Sequence, residues 1–293
     1  MSTTTKLHTL PLPSSKITLF YRSAGSPSSP TLLLLHGFPS SSHQYRNLIP
    51  LLATKYHILA PDLPGFGFTT VPAEANFTYT FANLASVVGE FLDVLQITKF
   101  AVYIFDYGAP TGLRLALDRP DAISALISQN GNAYEEGLGA FWDPIRAFWV
   151  GENTAEERDT LKKALLSFDA TRWQYFEGTT NPTSRIAPES YHLDYALLQR
   201  EGNDEIQIDL FRDYASNVAL YPRFQKYFRD SQVPVLAIWG GNDRIFVPEG
   251  AEAFKRDLPG AEVRLLDAGH FAVESETGII AEEILGFLGR RGI

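Results

Sequence analysis

Short, nearly continuous apolar runs at residues 31–35, 100–105 and 233–239 set the tightest bound on what this chain can fold into. Each is too short to cross a bilayer, and each reads as a strand buried on both faces, as in a parallel sheet covered by helices. The stretches between them carry the other half of that pattern. Residues 81–95 place Leu84, Val88, Phe91 and Leu95 on one helical face, and residues 43–53 and about 109–117 also read as helices. Further strands are expected at residues 17–22, 56–60 and 123–128. After Asn130 the rhythm changes, and residues 134–230 are aromatic-rich and helical in pattern. Alternation then resumes with a helix over 248–257, a strand over 261–266 and a last helix over 277–288. The reading is an α/β chain: a doubly wound, mostly parallel sheet formed by residues 1–133 and 231–293, with a helical cap inserted at 134–230.

Composition narrows the partners. With 45% apolar and 20% charged residues the chain suits a globular protein, and its net charge of −9 argues against nucleic acid and anionic lipid. The absence of cysteine removes disulfides, thiolate metal sites and a cysteine nucleophile. Residues 1–15 lack the apolar core of a signal peptide, so a cytoplasmic location is expected. The expected partners are a small apolar substrate and water, with neither nucleic acid nor membrane; a homodimer is left open.

Chemistry enters where a strand ends. The run at 100–105 stops at Asp106-Tyr107-Gly108, so a carboxylate sits at a strand-to-helix turn on the carboxyl edge of the sheet. The bland alternative is that Asp106 caps the helix. Asp243 follows the strand at 233–239 and His270 follows the one at 261–266, which brings all three to the same edge. Nucleophile, acid and histidine in that order form a catalytic triad pattern. His36-Gly37-Phe38-Pro39 follows the first buried strand, where the Phe38 N–H, with that of Tyr107, can face a developing oxyanion. The plain alternative is a proline turn with a cis bond before Pro39, and His36 is read as structural. No serine lies in a G-x-S-x-G elbow.

Together with Asp62-Leu63-Pro64-Gly65-Phe66-Gly67 and Gly269-His270-Phe271, these motifs resemble the Asp-nucleophile branch of the α/β-hydrolases, the epoxide hydrolases and haloalkane dehalogenases. The likeness spans roughly residues 15–290. It implies that Asp106 displaces a leaving group from carbon, and that His270, supported by Asp243, drives hydrolysis of the resulting ester. No cofactor or metal is implied.

The resemblance also separates two reactions. Dehalogenases of this kind generally carry Trp after the nucleophile, and many carry Asn after the His-Gly pair; here Tyr107 and Phe38 stand there. Fluoroacetate dehalogenases share the His-Gly-Phe-Pro loop but carry arginine after the nucleophile. Epoxide opening to a diol is therefore the leading expectation, with carbon–halogen hydrolysis second and a non-hydrolytic binding protein of the same fold third. Tyr214 resembles a ring-opening cap tyrosine. The early cap reads Phe141-Trp142-Asp143-Pro144, so a second tyrosine is missing there, and Tyr134 or another residue is expected to substitute. Trp142, Trp149 and Tyr134 are expected to line the substrate pocket, with either indole N–H a potential halide donor.

Overall fold

The computed structural model describes residues 3–293. Its strands are β1 (Lys6–Pro11), β2 (Thr18–Ala24), β3 (Thr31–Leu35), β4 (His57–Pro61), β5 (Phe100–Ile104), β6 (Ile123–Ser128), β7 (Val235–Gly240) and β8 (Glu262–Leu266). They form one sheet in the order β1-β2-β4-β3-β5-β6-β7-β8. Pairing is antiparallel for β1–β2 and β2–β4 and parallel from β4 through β8. From β3 the chain turns one way to β4 and then the other way to β5. The carboxyl ends of β3 and β5 thus flank a topological switch point, where open α/β sheets form a binding crevice.

Helices α1 (Leu48–Leu52), α2 (Phe81–Val94) and α3 (Gly108–Asp118) fill the first crossovers. Side-chain alternation along the central strands divides the core in two. Leu33, Leu35, Val102, Ile104 and Leu126 pack with α2 and α3, whereas Leu32, Leu34, Ala101, Tyr103 and Ile127 pack with α1 on the other face. Each buried leucine contributes about 1.5–3 kcal/mol, so the central strands fix the sheet before the loops are considered. Thr80 starts α2 by accepting the Asn83 N–H at 3.2 Å.

Between β6 and β7 the chain runs through α4 (Asp143–Val150), α5 (Ala155–Leu165), α6 (Phe168–Phe176), α7 (Pro182–Arg185), α8 (Pro188–Leu198) and the long α9 (Asn203–Ser231). These helices are tied to the loops after the strands. Gln207 Nε2 donates to the Gly65 carbonyl at 3.2 Å and Arg200 to that of Gly67 at 2.9 Å. The chain ends through α10 (Glu249–Asp257), α11 (Ala272–Ser275) and α12 (Thr277–Gly289). Among the described residues no helix is long and apolar enough to cross a membrane.

Two local expectations need correction. The helix read over residues 43–53 is a 3-10 turn, Ser42–Tyr45, followed by the short α1. Its first half is drawn into tertiary bonds: the Ser42 N–H is taken by Asp62 at 2.8 Å, and Arg46 grips Glu274. The edge strand β1 was not foreseen, because it is half-exposed to exposed throughout and presents no buried face to the pattern.

Candidate active site

Asp106 follows β5 in the left-handed region, with φ +46°. That conformation costs about 1–2 kcal/mol in an L-residue, although aspartate tolerates it better than most. The turn is closed by the Gly108 N–H donating to the Phe105 carbonyl at 2.7 Å. It also needs two glycines: a Cβ on Gly108 would stand 2.2 Å from the Leu35 carbonyl oxygen, and one on Gly37 would stand 2.2 Å from Asp106 Oδ1. The helix that follows has Tyr107 at its N-cap position and no side-chain cap. Asp106 is therefore not serving as a helix cap. Its Oδ1 accepts the Phe38 N–H at 2.6 Å, and the Tyr107 N–H also bonds the carboxylate.

The carboxylate is almost wholly enclosed, with 6% of the side chain exposed. Burial pushes its pKa up to about 6, partly opposed by His270 and by the two N–H donors. His270, just after β8, donates from Nδ1 to Asp243 Oδ2 at 2.8 Å. In the neutral ring this leaves the lone pair on Nε2, which is buried, has no partner, and lies 4.0 Å from Asp106 Oδ2. Burial pulls the imidazole down, but the charge and hydrogen bond of Asp243, with Asp106 adding, carry it above its ordinary value.

Asp243 is itself held on both oxygens. Oδ1 accepts the Ile245 N–H at 2.7 Å, and Oδ2 accepts Asn130 Nδ2 at 2.6 Å as well as His270. Sequence reasoning missed Asn130. It is buried, has φ +49°, and its Oδ1 accepts the Gly240 N–H at 2.8 Å, so it joins the ends of β6 and β7 beneath the acid. The only sequence signal was its place among the turn-forming residues after β6. Gln129 adds a second brace, donating to the His270 carbonyl at 3.0 Å.

His36 is a structural residue, as read. Nδ1 donates to the Gly37 carbonyl at 3.1 Å and Nε2 accepts the Leu63 N–H at 2.9 Å, with burial lowering its pKa. It links the loop after β3 to the loop after β4. The Phe38–Pro39 bond is cis.

Aromatic rings from both the strand loops and α9 gather on Tyr107, next to Asp106. Tyr107 contacts Phe38, Phe66, Phe81, Phe211 and Tyr214, with ring centroids 4.8–6.2 Å apart. Tyr214 is fully buried on α9, and its hydroxyl lies 3.4 Å from that of Tyr221, one further α9 residue on the same face. Asn132 Nδ2 donates to the Tyr221 hydroxyl at 3.2 Å. Burial raises the Tyr214 phenol well above its ordinary pKa, and the neighbouring Tyr221 and the Asp106 charge add to this.

Trp142 and Trp149 stand behind Tyr214, at ring distances of 4.4 and 6.2 Å. Their indole N–H groups are engaged, that of Trp142 with the Ile245 carbonyl and that of Trp149 with the Phe211 carbonyl, both at 2.8 Å. Neither is free to meet a halide, which corrects that expectation. Tyr134 also departs from its expected place. Its hydroxyl donates to the buried carboxylate of Asp257 at 3.0 Å and its ring packs on Phe228 and Phe254.

Residues 30–277 match the alpha/beta hydrolase fold family, so the chain belongs to the α/β-hydrolases and is a hydrolase of that family. It is 48% identical over 274 residues to the uncharacterized hydrolase YNR064C of Saccharomyces cerevisiae, covering 92% of each chain. It is 34% identical to a haloalkane dehalogenase of Psychrobacter cryohalolentis, over 94% of this chain and 88% of that one. In fold it resembles the epoxide hydrolase CorEH, with a TM-score of 0.77 at 20% identity, over 98% of this chain and 99% of that one.

Proposed function

We propose that this hydrolase opens epoxides on small apolar molecules to diols, through a covalent ester on Asp106. The observation that carries the reading is the set of groups around that carboxylate. The buried phenol of Tyr214 packs on Tyr107, next in the chain, and feels the Asp106 charge, while the indole N–H groups of Trp142 and Trp149 already bond backbone carbonyls. A halide leaves as a stable anion and needs only donors. An epoxide oxygen leaves as a strong base and needs an acid.

The division of labour follows from which atoms are occupied. Oδ1 of Asp106 is held by the Phe38 N–H, with the Tyr107 N–H also on the carboxylate, so Oδ2, the oxygen nearer His270 Nε2, attacks the epoxide carbon. The carbon–oxygen bond breaks, its electron pair passes to the ring oxygen, and Tyr214 supplies a proton. Ester formation removes the Asp106 charge, one of the influences holding the His270 pKa up, and so favours the neutral base when it is needed. Nε2 then takes a proton from water, the hydroxide attacks Asp106 Cγ, and negative charge grows on Oδ1 where the Phe38 N–H already points, with the Tyr107 N–H also on the carboxylate. Each such donor is worth about 3 kcal/mol of barrier. The Cγ–Oδ2 bond breaks to release the diol; one water proton passes through His270 to the new hydroxyl and the other restores Tyr214.

Carbon–halogen hydrolysis is the second reading, favoured by the 34% identical haloalkane dehalogenase. Turnover of an epoxide panel and a haloalkane panel, with the wild type and Tyr214→Phe, distinguishes the two. Diol formation is expected, with kcat reduced about 100-fold or more in the variant. Halide release without diol formation would replace this reading with the second.

A further inference from the structure

The loop that carries His270 is held from outside the sheet, by the end of α6 and the residues that follow it. The Tyr175 ring lies flat on Phe271, with centroids 3.9 Å apart and planes 8° from parallel. Phe271 in turn meets the His270 ring at 86°, with centroids 5.3 Å apart. On the other side of His270, the Gly269 N–H donates to Thr179 Oγ1 at 3.4 Å, and a Cβ on Gly269 would overlap the Glu177 carbonyl oxygen. The acid's loop is held as well: Asn242, beside Asp243, donates from Nδ2 to the Gly178 carbonyl at 2.9 Å. One short segment, residues 175–179, thus touches the loops of both Asp243 and His270.

Asp194 on α8 fixes that segment in turn. It is fully buried, and its Oδ2 accepts the Tyr175 hydroxyl, which pins the tyrosine ring over Phe271. Burial pushes the Asp194 pKa up to about 8, so near neutral pH the group is largely uncharged. Ser190, on the same helix, donates to Glu274 at 3.2 Å, and Glu274 is gripped by Arg46, which seats α8 on the sheet side. Neither Tyr175 nor Asp194 takes part in the chemistry proposed above. We propose that they are positioning residues for the base: Asp194 holds Tyr175, Tyr175 holds Phe271, and the stack keeps the His270 ring aimed for ester hydrolysis. The inference rests on the Asp106 ester mechanism, whether the leaving group is an epoxide oxygen or a halide. Asp106 itself is held by other groups, the Phe38 and Tyr107 N–H, so alkylation does not depend on this stack.

The test separates the two half-reactions. Styrene oxide and butyl bromide serve as probes in rapid-quench single turnovers, with ester-bound enzyme read by intact mass. In Tyr175→Leu, ester hydrolysis is expected to slow about 10–100-fold, the cost of a misplaced reacting group, while alkylation keeps close to the wild-type rate. Tyr175→Phe keeps the stacked ring and loses only the bond to Asp194. It is expected to show a smaller loss in the same step, matched by Asp194→Ala, and the two combined to lose no more than either alone. Without substrate, the low-field Nδ1 proton resonance of His270, identified by its absence in His270→Gln, is expected to shift in Tyr175→Leu. Equal slowing of both steps, additive losses, or ester hydrolysis at the wild-type rate in Tyr175→Leu and Tyr175→Phe would overturn the positioning role and leave the ester mechanism standing. A wild type that forms no ester with either probe would remove the mechanism and this inference together.

Discussion

Replacing Asp106 by asparagine separates what the carboxylate costs the fold from what it contributes to chemistry. Asparagine is nearly isosteric and tolerates the left-handed φ of +46°, and its Oδ1 can still accept the Phe38 N–H. What disappears is the ionisation. The folded-state pKa is raised from 3.8 to about 6, so folding favours the protonated acid. That contribution is fully present below 3.8 and is lost as pH rises through about 6. At pH 7.5 the ionised wild type is then less stable than a permanently neutral equivalent by about 3 kcal/mol, and at pH 5 by about half as much. Asp106→Asn is therefore expected to be inactive yet more stable at pH 7.5, by roughly 5 °C in unfolding midpoint, with the gap narrowing towards pH 5. Denaturant unfolding of both proteins at the two pH values measures it. A variant no more stable than wild type at pH 7.5, or a gap independent of pH, would refute the argument that burial strains this carboxylate.

Two further outcomes follow from the same geometry. Gly37→Ala places a methyl group 2.2 Å from Asp106 Oδ1, so the loop or the carboxylate must move; turnover is expected to fall at least 100-fold and the unfolding midpoint to drop, both read on the purified variant. If Asp106 is the nucleophile as proposed, only its ionised form attacks, and the single-turnover alkylation rate is expected to rise with pH through about 6 and then level, with roughly tenfold loss per pH unit below it. A flat profile from pH 4.5 to about 7.5 would count against Asp106 as the attacking group.

The parts of the molecule that could be read from the sequence are those in which one residue's environment is set by its own strand. β3 and β5 are buried at every position, so their apolar runs announce them, and Asp106, Asp243 and His270 follow directly from where β5, β7 and β8 must stop. β1 escaped because its side chains are largely exposed and carry no buried alternation. What could not be read is which partner each polar atom finds. Asn130 is one turn residue among several until β6 and β7 are laid side by side, and only then do its two amide atoms meet Asp243 and the Gly240 N–H. Tyr134 and the two cap tryptophans illustrate the opposite error. Their residue types suit a pocket, but Asp257 and backbone carbonyls brought near by the fold claim their donors. The N–H of Tyr107 is placed by the turn after β5, and the isolation of its hydroxyl is a property of packing among Phe38, Phe81 and Phe211.

The most direct measurement concerns whether substrate ever becomes joined to the protein. His270→Gln keeps Asp106, the proposed nucleophile, and its two N–H donors but removes the proposed base that releases the product. Incubated with a reactive epoxide and examined by peptide mass spectrometry, this variant is expected to accumulate one substrate mass on the peptide containing Asp106, whereas the wild type returns to its unmodified mass as diol forms. Product formed by the wild type with no adduct on Asp106 in the variant, or an adduct on any other side chain, would contradict the account.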